Sequence, residues 1–228
     1  MADDPEDLDA LVKRVDPDRW LSSRFIGDAQ ARADVVALYA YDHELARAPR
    51  VASNPLMGEI RLAWWREVLD EVFEGRPVRR HATAQALAAV VARHSLPRAP
   101  LEAMIDARYR QLDAAPMTPE EALAWAADTG GAAAVLAARL LDPSADPEPA
   151  RGAGAAWALA HRLAAQPDLA PVFQAQLKAA RRDVRRLAIP AFPAAAHAAL
   201  AQGRAKGGRA SDLRRQLALT WAVAWGRV

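Results

Sequence analysis

Apolar residues recur at intervals of three and four positions along most of the chain, which is the period of one helix face. The clearest pattern runs over residues 54–74, where Leu56, Ile60, Trp64 and Val68 stand four residues apart. This spacing predicts a helix that buries that row of side chains. No segment alternates convincingly between apolar and polar residues, as a half-buried strand does. The sequence therefore predicts an all-α protein of about eight to ten helices.

Proline and glycine divide this helical pattern, because proline lacks a backbone donor and glycine tolerates the turns between helices. The breaks fall at residues 48–55, 75–77, 95–100, 116–119, 142–149, 166–171, 189–193 and 203–208. Two helix starts carry a capping signal: Thr118 precedes Pro119 and Glu121, and Ser211 precedes Asp212. These signals predict that one helix begins at Pro119 and that the last helix begins at Asp212.

The 228 residues, 52% of them hydrophobic, suit one globular domain. We expect residues 1–16 to form an acidic N-terminal tail and residues 142–152 to form a flexible loop. The chain has no cysteine, which excludes disulfides, thiolate metal sites and cysteine nucleophiles. Charge is uneven: residues 1–150 carry 17 basic and 25 acidic side chains, whereas residues 151–228 carry 13 and 3.

The first residues, MADDPEDLDALVKR, are acidic and lack the layout of a secretory signal or a mitochondrial presequence. No run of about 18 apolar residues predicts a membrane-spanning helix. We therefore expect a cytoplasmic protein, with peripheral attachment at the inner face of the membrane as an open alternative.

Two rows of like charge stand at helical spacing. The acidic row consists of Glu67, Asp70, Glu71 and Glu74. It resembles a carboxylate metal site, but the Glu-x-x-His pairs of such sites are absent and a solvated face is the better interpretation.

The basic ridge consists of Lys178, Arg181, Arg182, Arg185 and Arg186. It suits a diphosphate, anionic lipid or an acidic partner, or it is simply solvated; few aromatics accompany it, which disfavours nucleic acid.

The segment ALYAYDHELARAP (37–49) predicts a helix with two acids near its middle, Asp42 and Glu44. Successive residues of an α-helix advance by about 100°, so these two side chains point to nearly opposite faces. They cannot jointly hold a cation, and a capped or solvated surface pair is the simplest interpretation.

Several segments taken in order resemble the squalene and phytoene synthase family over residues 17–165. The residues that carry the resemblance are Tyr39, Trp64, Trp65, Gly75, Pro77, Leu96, Pro97, Asp113, Thr129 and Gly130. The resemblance implies an isoprenoid-synthase helical bundle. It also implies a pocket lined by Tyr39, Asp42, Glu44, Arg61, Trp64 and Trp65. Enzymes of this family join two prenyl diphosphates, using magnesium held between two aspartate-rich helices to assist departure of the diphosphate.

Both aspartate motifs of the family are missing at the positions that match them. The first motif corresponds to Ala46, Arg47, Ala48, Pro49 and Arg50, and the second to Ala164 and Ala165. We therefore expect no metal site, no cofactor and no catalytic residue. The HELAR segment (43–47) is similar to the subgroup of the family that assists assembly of respiratory complex I, which predicts a protein partner.

Two alternatives stay open. The chain is a prenyltransferase if magnesium ligands have moved to Asp42, Glu44, Asp113 or Asp128. It is a peripheral lipid-binding or isoprenoid-binding module if the basic ridge contacts anionic lipid and an apolar pocket takes an isoprenoid tail.

Overall fold

The computed structural model describes residues 7–50, 54–207 and 211–228, and within these ranges the chain is helical with no strand. The α-helices are α1 Leu8–Val15, α2 Pro17–Ser23, α3 Ala29–Arg50, α4 Pro55–Phe73, α5 Ala82–His94, α6 Arg98–Tyr109, α7 Pro119–Ala126, α8 Ala132–Leu141, α9 Arg151–Arg162, α10 Ala170–Asp183, α11 Pro193–Ala196, α12 Ala201–Ala205 and α13 Asp212–Trp225. The predicted all-α class is confirmed. The described residues form more helices than the eight to ten expected, in part because two short helices, α11 and α12, stand on either side of a 3₁₀ turn at His197–Leu200.

Local capping sets the helix boundaries where the sequence signals them. Asn54 begins α4 by accepting a hydrogen bond from the Met57 amide, 2.9 Å away. Thr118 and Glu121 form a reciprocal capping box at the start of α7, as predicted. Ser211 caps α13 through the Arg214 amide. These three signals therefore mark real helix starts. The break predicted over residues 48–55 begins too early, because α3 continues through Pro49 to Arg50.

Helix α3 is the centre of the first of two packed groups. It contacts α1, α4, α5, α6 and α8, and its Leu38, Tyr39, Tyr41 and Leu45 side chains are fully buried. Helix α9 organises the second group by packing against α7, α8, α10 and α12. Since α8 touches both α3 and α9, it joins the two groups into one bundle.

The chain between α7 and α8 is a π-helical segment, Ala127–Gly131. It crosses α9 at very short range. A Cβ atom on Gly154 would lie 2.0 Å from the Gly130 carbonyl oxygen, and one on Gly130 would lie 2.5 Å from that of Gly154. Only glycine at both positions permits this crossing. The wider π turn offsets the helix at that point.

The buried face of α4 differs from the one predicted. Leu56 and Ile60 are 61% and 51% exposed, whereas Leu62, Trp65, Val68 and Leu69 are buried. Residues four apart on an α-helix are offset by about 40°, so the predicted row winds around α4 and passes from the solvent-exposed side to the buried side.

Two segments predicted to lie outside the core are partly built into it. Residues Leu8–Val15 of the expected acidic tail form α1, whose Leu11 and Val12 are buried. In the expected loop over 142–152, a 3₁₀ turn covers Glu148–Ala150 and α9 begins at Arg151. Both segments are rich in charged residues and therefore look solvent-exposed in the sequence, but each also contains apolar residues that pack into the core.

Candidate functional site

A cavity of about 990 Å³ lies between α3 and α9. The junction of α1 and α2, the C-terminal part of α6, the π segment, α12 and the start of α13 complete its wall. Eight arginines and four aspartates line it: Arg14, Arg19, Arg50, Arg108, Arg162, Arg204, Arg214, Arg215, Asp16, Asp18, Asp42 and Asp212. The excess of arginine gives the cavity a positive field, which favours an anionic occupant.

Asp42 bridges two arginines in the wall of this cavity. One carboxylate oxygen accepts a hydrogen bond from Arg19 Nη1 at 2.6 Å, and the other accepts from Arg108 Nη2 at 2.5 Å. All three side chains are buried, so little water screens the pairs. The expected surface position of Asp42 is therefore wrong, since arginines from α2 and α6 compensate its burial.

The two arginines also determine the ionisation of Asp42. Burial alone would raise the pKa of its carboxyl group. The nearby charges of Arg108 and Arg19, together with their hydrogen bonds, outweigh burial and lower the pKa of Asp42 to about 2. The carboxylate is ionised at neutral pH and is fully engaged by the protein's own cations.

Aromatic rings hold the arginines in place. The Arg19 guanidinium lies 4.0 Å from the centroid of the Trp157 ring, and Arg108 and Arg162 lie 5.6 and 5.5 Å from that of Trp125. These distances are within the range of cation–π attraction. In this part of the cavity wall, three guanidinium groups therefore pack against two indole rings.

A second ion-pair group closes the wall where the end of the chain meets its beginning. Asp18 on α2 accepts hydrogen bonds from Arg204 on α12, at 2.8 Å, and from Arg215 on α13, at 3.1 Å. Asp18 is 2% exposed, so these contacts compensate a buried charge. The pairs connect elements nearly 200 residues apart in the sequence.

Several buried N–H groups of the cavity wall have no hydrogen-bond partner. They are Nε and Nη2 of Arg19, Nε of Arg108, Nε of Arg162, Nε1 of Trp125 and Nε1 of Trp157. Leaving a buried donor unpaired costs about 1–3 kcal/mol, and more when the group is charged. Such a collection of donors in one cavity favours an occupant rich in acceptor oxygens.

Two further titratable groups in the wall are shifted by burial. Burial raises the pKa of Asp16 to about 6, against the opposing attraction of Arg19. Burial lowers the pKa of His161 to about 4, although its Nδ1 donates a hydrogen bond to the Trp157 carbonyl oxygen, 2.9 Å away, which acts in the opposite direction. Both shifts favour the neutral form of the side chain over part of the acidic range.

The residues of this cavity do not fit magnesium. That ion prefers hard oxygen ligands in octahedral array, whereas Asp42 and Asp18 are each paired with two arginines. Asp212 is also paired, with Arg215. Within residues 7–50, 54–207 and 211–228, no group of three or more His, Cys, Asp or Glu side chains is arranged to hold a metal ion.

The acids of the relocated-metal alternative are not brought together. Asp42 lines the main cavity, whereas Glu44 lines a separate cavity of about 290 Å³ with Arg61, Trp64 and Trp65. Asp113 and Asp128 are exposed and line neither cavity. The opposite directions predicted for Asp42 and Glu44 thus place them in two different pockets.

The other predicted site residues occupy three different environments. Tyr39 is buried behind the main cavity, with its ring 5.1 Å from the Arg19 guanidinium carbon. In the second cavity Arg61 has a buried Nη1 without a partner, and Trp64 and Trp65 meet edge to face at 5.0 Å. All five side chains of the basic ridge are exposed; they are Lys178, Arg181, Arg182, Arg185 and Arg186.

The acidic row is a set of ion pairs with arginines. Arg79 contacts both Glu67 and Glu71, and Arg98 contacts Asp70 at 2.5 Å. Glu74 is 2.6 Å from Arg76. Glu71 is buried, so the row is only partly the solvated face that was expected.

Sequence reasoning did not identify Arg19, Arg108, Trp125 or Trp157 as site residues. A partial signal exists for Arg19, because the segment VDPDRW places three charged residues between apolar ones at a proline-initiated helix start. Arg108 and the two tryptophans carry no local signal, since an arginine or tryptophan on a helix is usually half exposed or in the core.

The chain matches the family model described as squalene/phytoene synthase over residues 12–170. It belongs to the squalene/phytoene synthase family. A crystal structure of a dehydrosqualene synthase in complex with ligand superposes with a TM-score of 0.75, covering 96% of this chain and 94% of that one. At 14% sequence identity this similarity shows the fold alone. The predicted family and isoprenoid-synthase fold are confirmed.

Two curated relatives of this family member are proteins named NADH dehydrogenase (ubiquinone) complex I, assembly factor 6. The bovine (Bos taurus) protein is 28% identical over 103 residues, and the human (Homo sapiens) protein is 27% identical over the same length. Each match covers 45% of this chain and 30% of the relative. The chain therefore matches less than a third of the length of these relatives.

Proposed function

We propose that this protein is a non-catalytic member of the squalene/phytoene synthase family that assists assembly of a respiratory NADH dehydrogenase. The observation that carries the proposal is the engagement of Asp42 by Arg19 and Arg108 in the wall of the cavity. A carboxylate that two arginines neutralise is a poor magnesium ligand, and magnesium-assisted departure of diphosphate needs several free carboxylates.

The positions matched to the family's aspartate motifs support the same proposal. Ala46 and Arg50 on α3 and Ala165 after α9 line the cavity, and none of them is a metal ligand. The names of the bovine and human relatives supply the assembly role, which implies a protein partner. The cytoplasmic location, with peripheral attachment at the inner face of the membrane, forms part of this proposal. Across the described residues, no helix is both long and apolar enough to cross a bilayer.

The partner is tested by quantitative capture from the source organism. The full chain, tagged at one end, is purified from gently solubilised cells beside an equally expressed, unrelated tagged protein. We expect NADH dehydrogenase subunits or their assembly intermediates to be enriched at least fivefold over that control. Equal recovery in both samples contradicts the assembly role.

The non-catalytic part is tested separately. The purified protein is incubated with farnesyl or geranylgeranyl diphosphate and magnesium, with a dehydrosqualene synthase as the positive control. We expect no coupled hydrocarbon and no release of diphosphate above the protein-free rate. Magnesium-dependent turnover above that rate contradicts the proposal.

A second candidate function, binding of an anionic isoprenoid without metal, is favoured by the unpaired N–H groups of Arg19, Arg108, Arg162, Trp125 and Trp157. The guanidinium groups among these donors would supply the positive charge that a metal ion supplies in the enzymes of the family. Calorimetric titration with a non-hydrolysable farnesyl diphosphate analogue tests it. Binding of equal strength with magnesium and with a chelator supports this function, and absence of binding in both contradicts it.

A further inference from the structure

The last helix, α13, has an apolar outer face that nothing in the bundle covers. Its inner face holds the buried Leu219 and Ala222. On the outer face, Leu213, Leu217, Trp221 and Trp225 are 66%, 55%, 65% and 61% exposed. We call these four side chains the α13 stripe.

The geometry of a helix makes the α13 stripe a continuous surface. Residues four apart are offset by about 40°, so the four side chains span about 120° over three turns. The rings of Trp221 and Trp225 stack with centroids 5.5 Å apart, which merges them into one apolar surface. A helix that is apolar on both its inner and its outer face requires a second non-aqueous environment.

Positive charge flanks the α13 stripe. Arg214 and Arg227 are exposed near the two ends of α13. Arg181 of the basic ridge donates from Nε to the Val228 carbonyl oxygen at 3.0 Å, which brings the ridge to the C-terminal end of the helix. Ile189, which is 89% exposed, follows the ridge directly in the sequence. Apolar residues bordered by arginine and lysine complement a surface of acyl chains and anionic headgroups.

The tryptophans favour a bilayer over water as the environment of the stripe. Tryptophan concentrates at the membrane–water interface, because its ring is apolar and its indole N–H remains hydrogen-bonded there. Leucine and tryptophan on one face with arginine at the border is the composition of helices that lie in the plane of that interface.

We propose that α13 is an interfacial helix that binds an anionic lipid bilayer through the α13 stripe, with the basic ridge contacting the headgroups. The same helix lines the main cavity with Arg214, Arg215 and Ala218. The bilayer surface therefore lies beside the rim of the cavity. The α13 stripe supplies the contact surface for the peripheral attachment included in the proposed function. The vesicle experiment tests this contact, and the capture of dehydrogenase subunits tests the assembly role separately.

Vesicle co-sedimentation of the full chain tests the proposal. The vesicles are pure phosphatidylcholine or a mixture with phosphatidylglycerol, at low and at high salt. We expect binding to the anionic vesicles that weakens as salt screens the arginines. Replacing both tryptophans, Trp221→Ser with Trp225→Ser, is expected to weaken binding about tenfold or more. Reversing two ridge charges, Arg182→Glu with Arg186→Glu, is expected to weaken binding to anionic vesicles only.

Matched controls come from α4 and the loop after it. Leu56→Ser with Ile60→Ser removes two apolar side chains of comparable fractional exposure, and Arg76→Glu with Arg80→Glu makes the same change in charge. Both controls are expected to bind vesicles as the wild type does. Because all these side chains are exposed, the variants should fold, which their melting temperatures verify.

Three results overturn the proposal. They are absence of binding to either vesicle, equal weakening by the α4 controls, and unchanged binding when the stripe is replaced. Light scattering of the vesicle-free protein adds a fourth: a wild-type dimer that becomes a monomer in the Trp221→Ser, Trp225→Ser variant shows that a second copy covers the stripe.

Discussion

Asp42 is a buried carboxylate whose charge is compensated by two arginines, Arg19 and Arg108. Its carboxylate stands 23 residues from Arg19 and 66 residues from Arg108 in the sequence, and only the packing of α2, α3 and α6 brings the three together. The helical spacing predicts that Asp42 and Glu44 diverge, but it does not reveal that one of them is buried. Burial of a charged residue depends on distant partners, which local pattern does not encode.

The Asp42 bridge predicts a large loss of stability in the variant Asp42→Asn. Removing the carboxylate leaves Arg19 and Arg108 buried with no compensating charge, which costs about 3–5 kcal/mol. Urea unfolding measures this loss. The control Glu44→Gln breaks one ion pair, with the half-exposed Arg47 at 3.5 Å, and should cost about 1 kcal/mol or less. Equal losses in the two variants contradict the assignment of the bridge.

Asp16 predicts a pH dependence of stability. Its pKa is raised by burial to about 6 from 3.8, so its contribution is fully present below pH 3.8 and is lost as pH rises through 6. Between pH 4.5 and 7.5 this group removes about 2 kcal/mol from the free energy of unfolding. Asp16→Asn keeps the side-chain cap of α2 and eliminates the titration.

Urea unfolding of the wild type and Asp16→Asn at the two pH values measures the difference. We expect the asparagine variant to gain about 2 kcal/mol relative to the wild type at pH 7.5 compared with pH 4.5. Parallel changes in the two proteins would show that Asp16 does not titrate in this range.

At the scale of helices, proline, glycine and capping residues allow the boundaries to be predicted well, because they act through the local backbone. Thr118 with Glu121 and Asn54 with Pro55 illustrate this. The buried face of α4 is not predictable in the same way. Leu56, Ile60 and Val68 belong to one row of apolar residues, but Leu56 and Ile60 are exposed and Val68 is buried. Only the packing of α4 against other helices determines which members of the row are buried.

The crossing of the π segment with α9 predicts that Gly154→Ala is severely destabilising. The added methyl group would meet the Gly130 carbonyl oxygen at 2.0 Å, so the two backbones must separate. We expect a loss of about 3 kcal/mol or more. The control Gly203→Ala, on α12 with no atom within 4 Å of its Cβ position, should be neutral or stabilise by about 0.5–1 kcal/mol.

Thermal or urea unfolding of the two alanine variants checks this comparison. A loss in Gly154→Ala no larger than the change in Gly203→Ala would show that the crossing is looser than the structure indicates.

At the scale of the whole molecule, the all-α class, the family and the bundle follow from periodicity and from the order of the segments that resemble the family. The site does not follow from them, because its arginines come from seven helices, and the local sequence pattern does not encode how distant helices converge. The excess of basic residues after residue 150 is the one global signal. It is expressed as cavity-lining Arg162, Arg204, Arg214 and Arg215 and as the exposed basic ridge.

We propose that this protein assists assembly of a respiratory NADH dehydrogenase and performs no prenyl coupling. The most direct measurement is the amount of fully assembled NADH dehydrogenase on native gels of membranes from a strain lacking the gene, with and without a plasmid-borne copy. We expect a severalfold loss of the assembled enzyme at unchanged transcript levels, restored by the copy. An unchanged amount of assembled enzyme in the deletion strain would contradict the account.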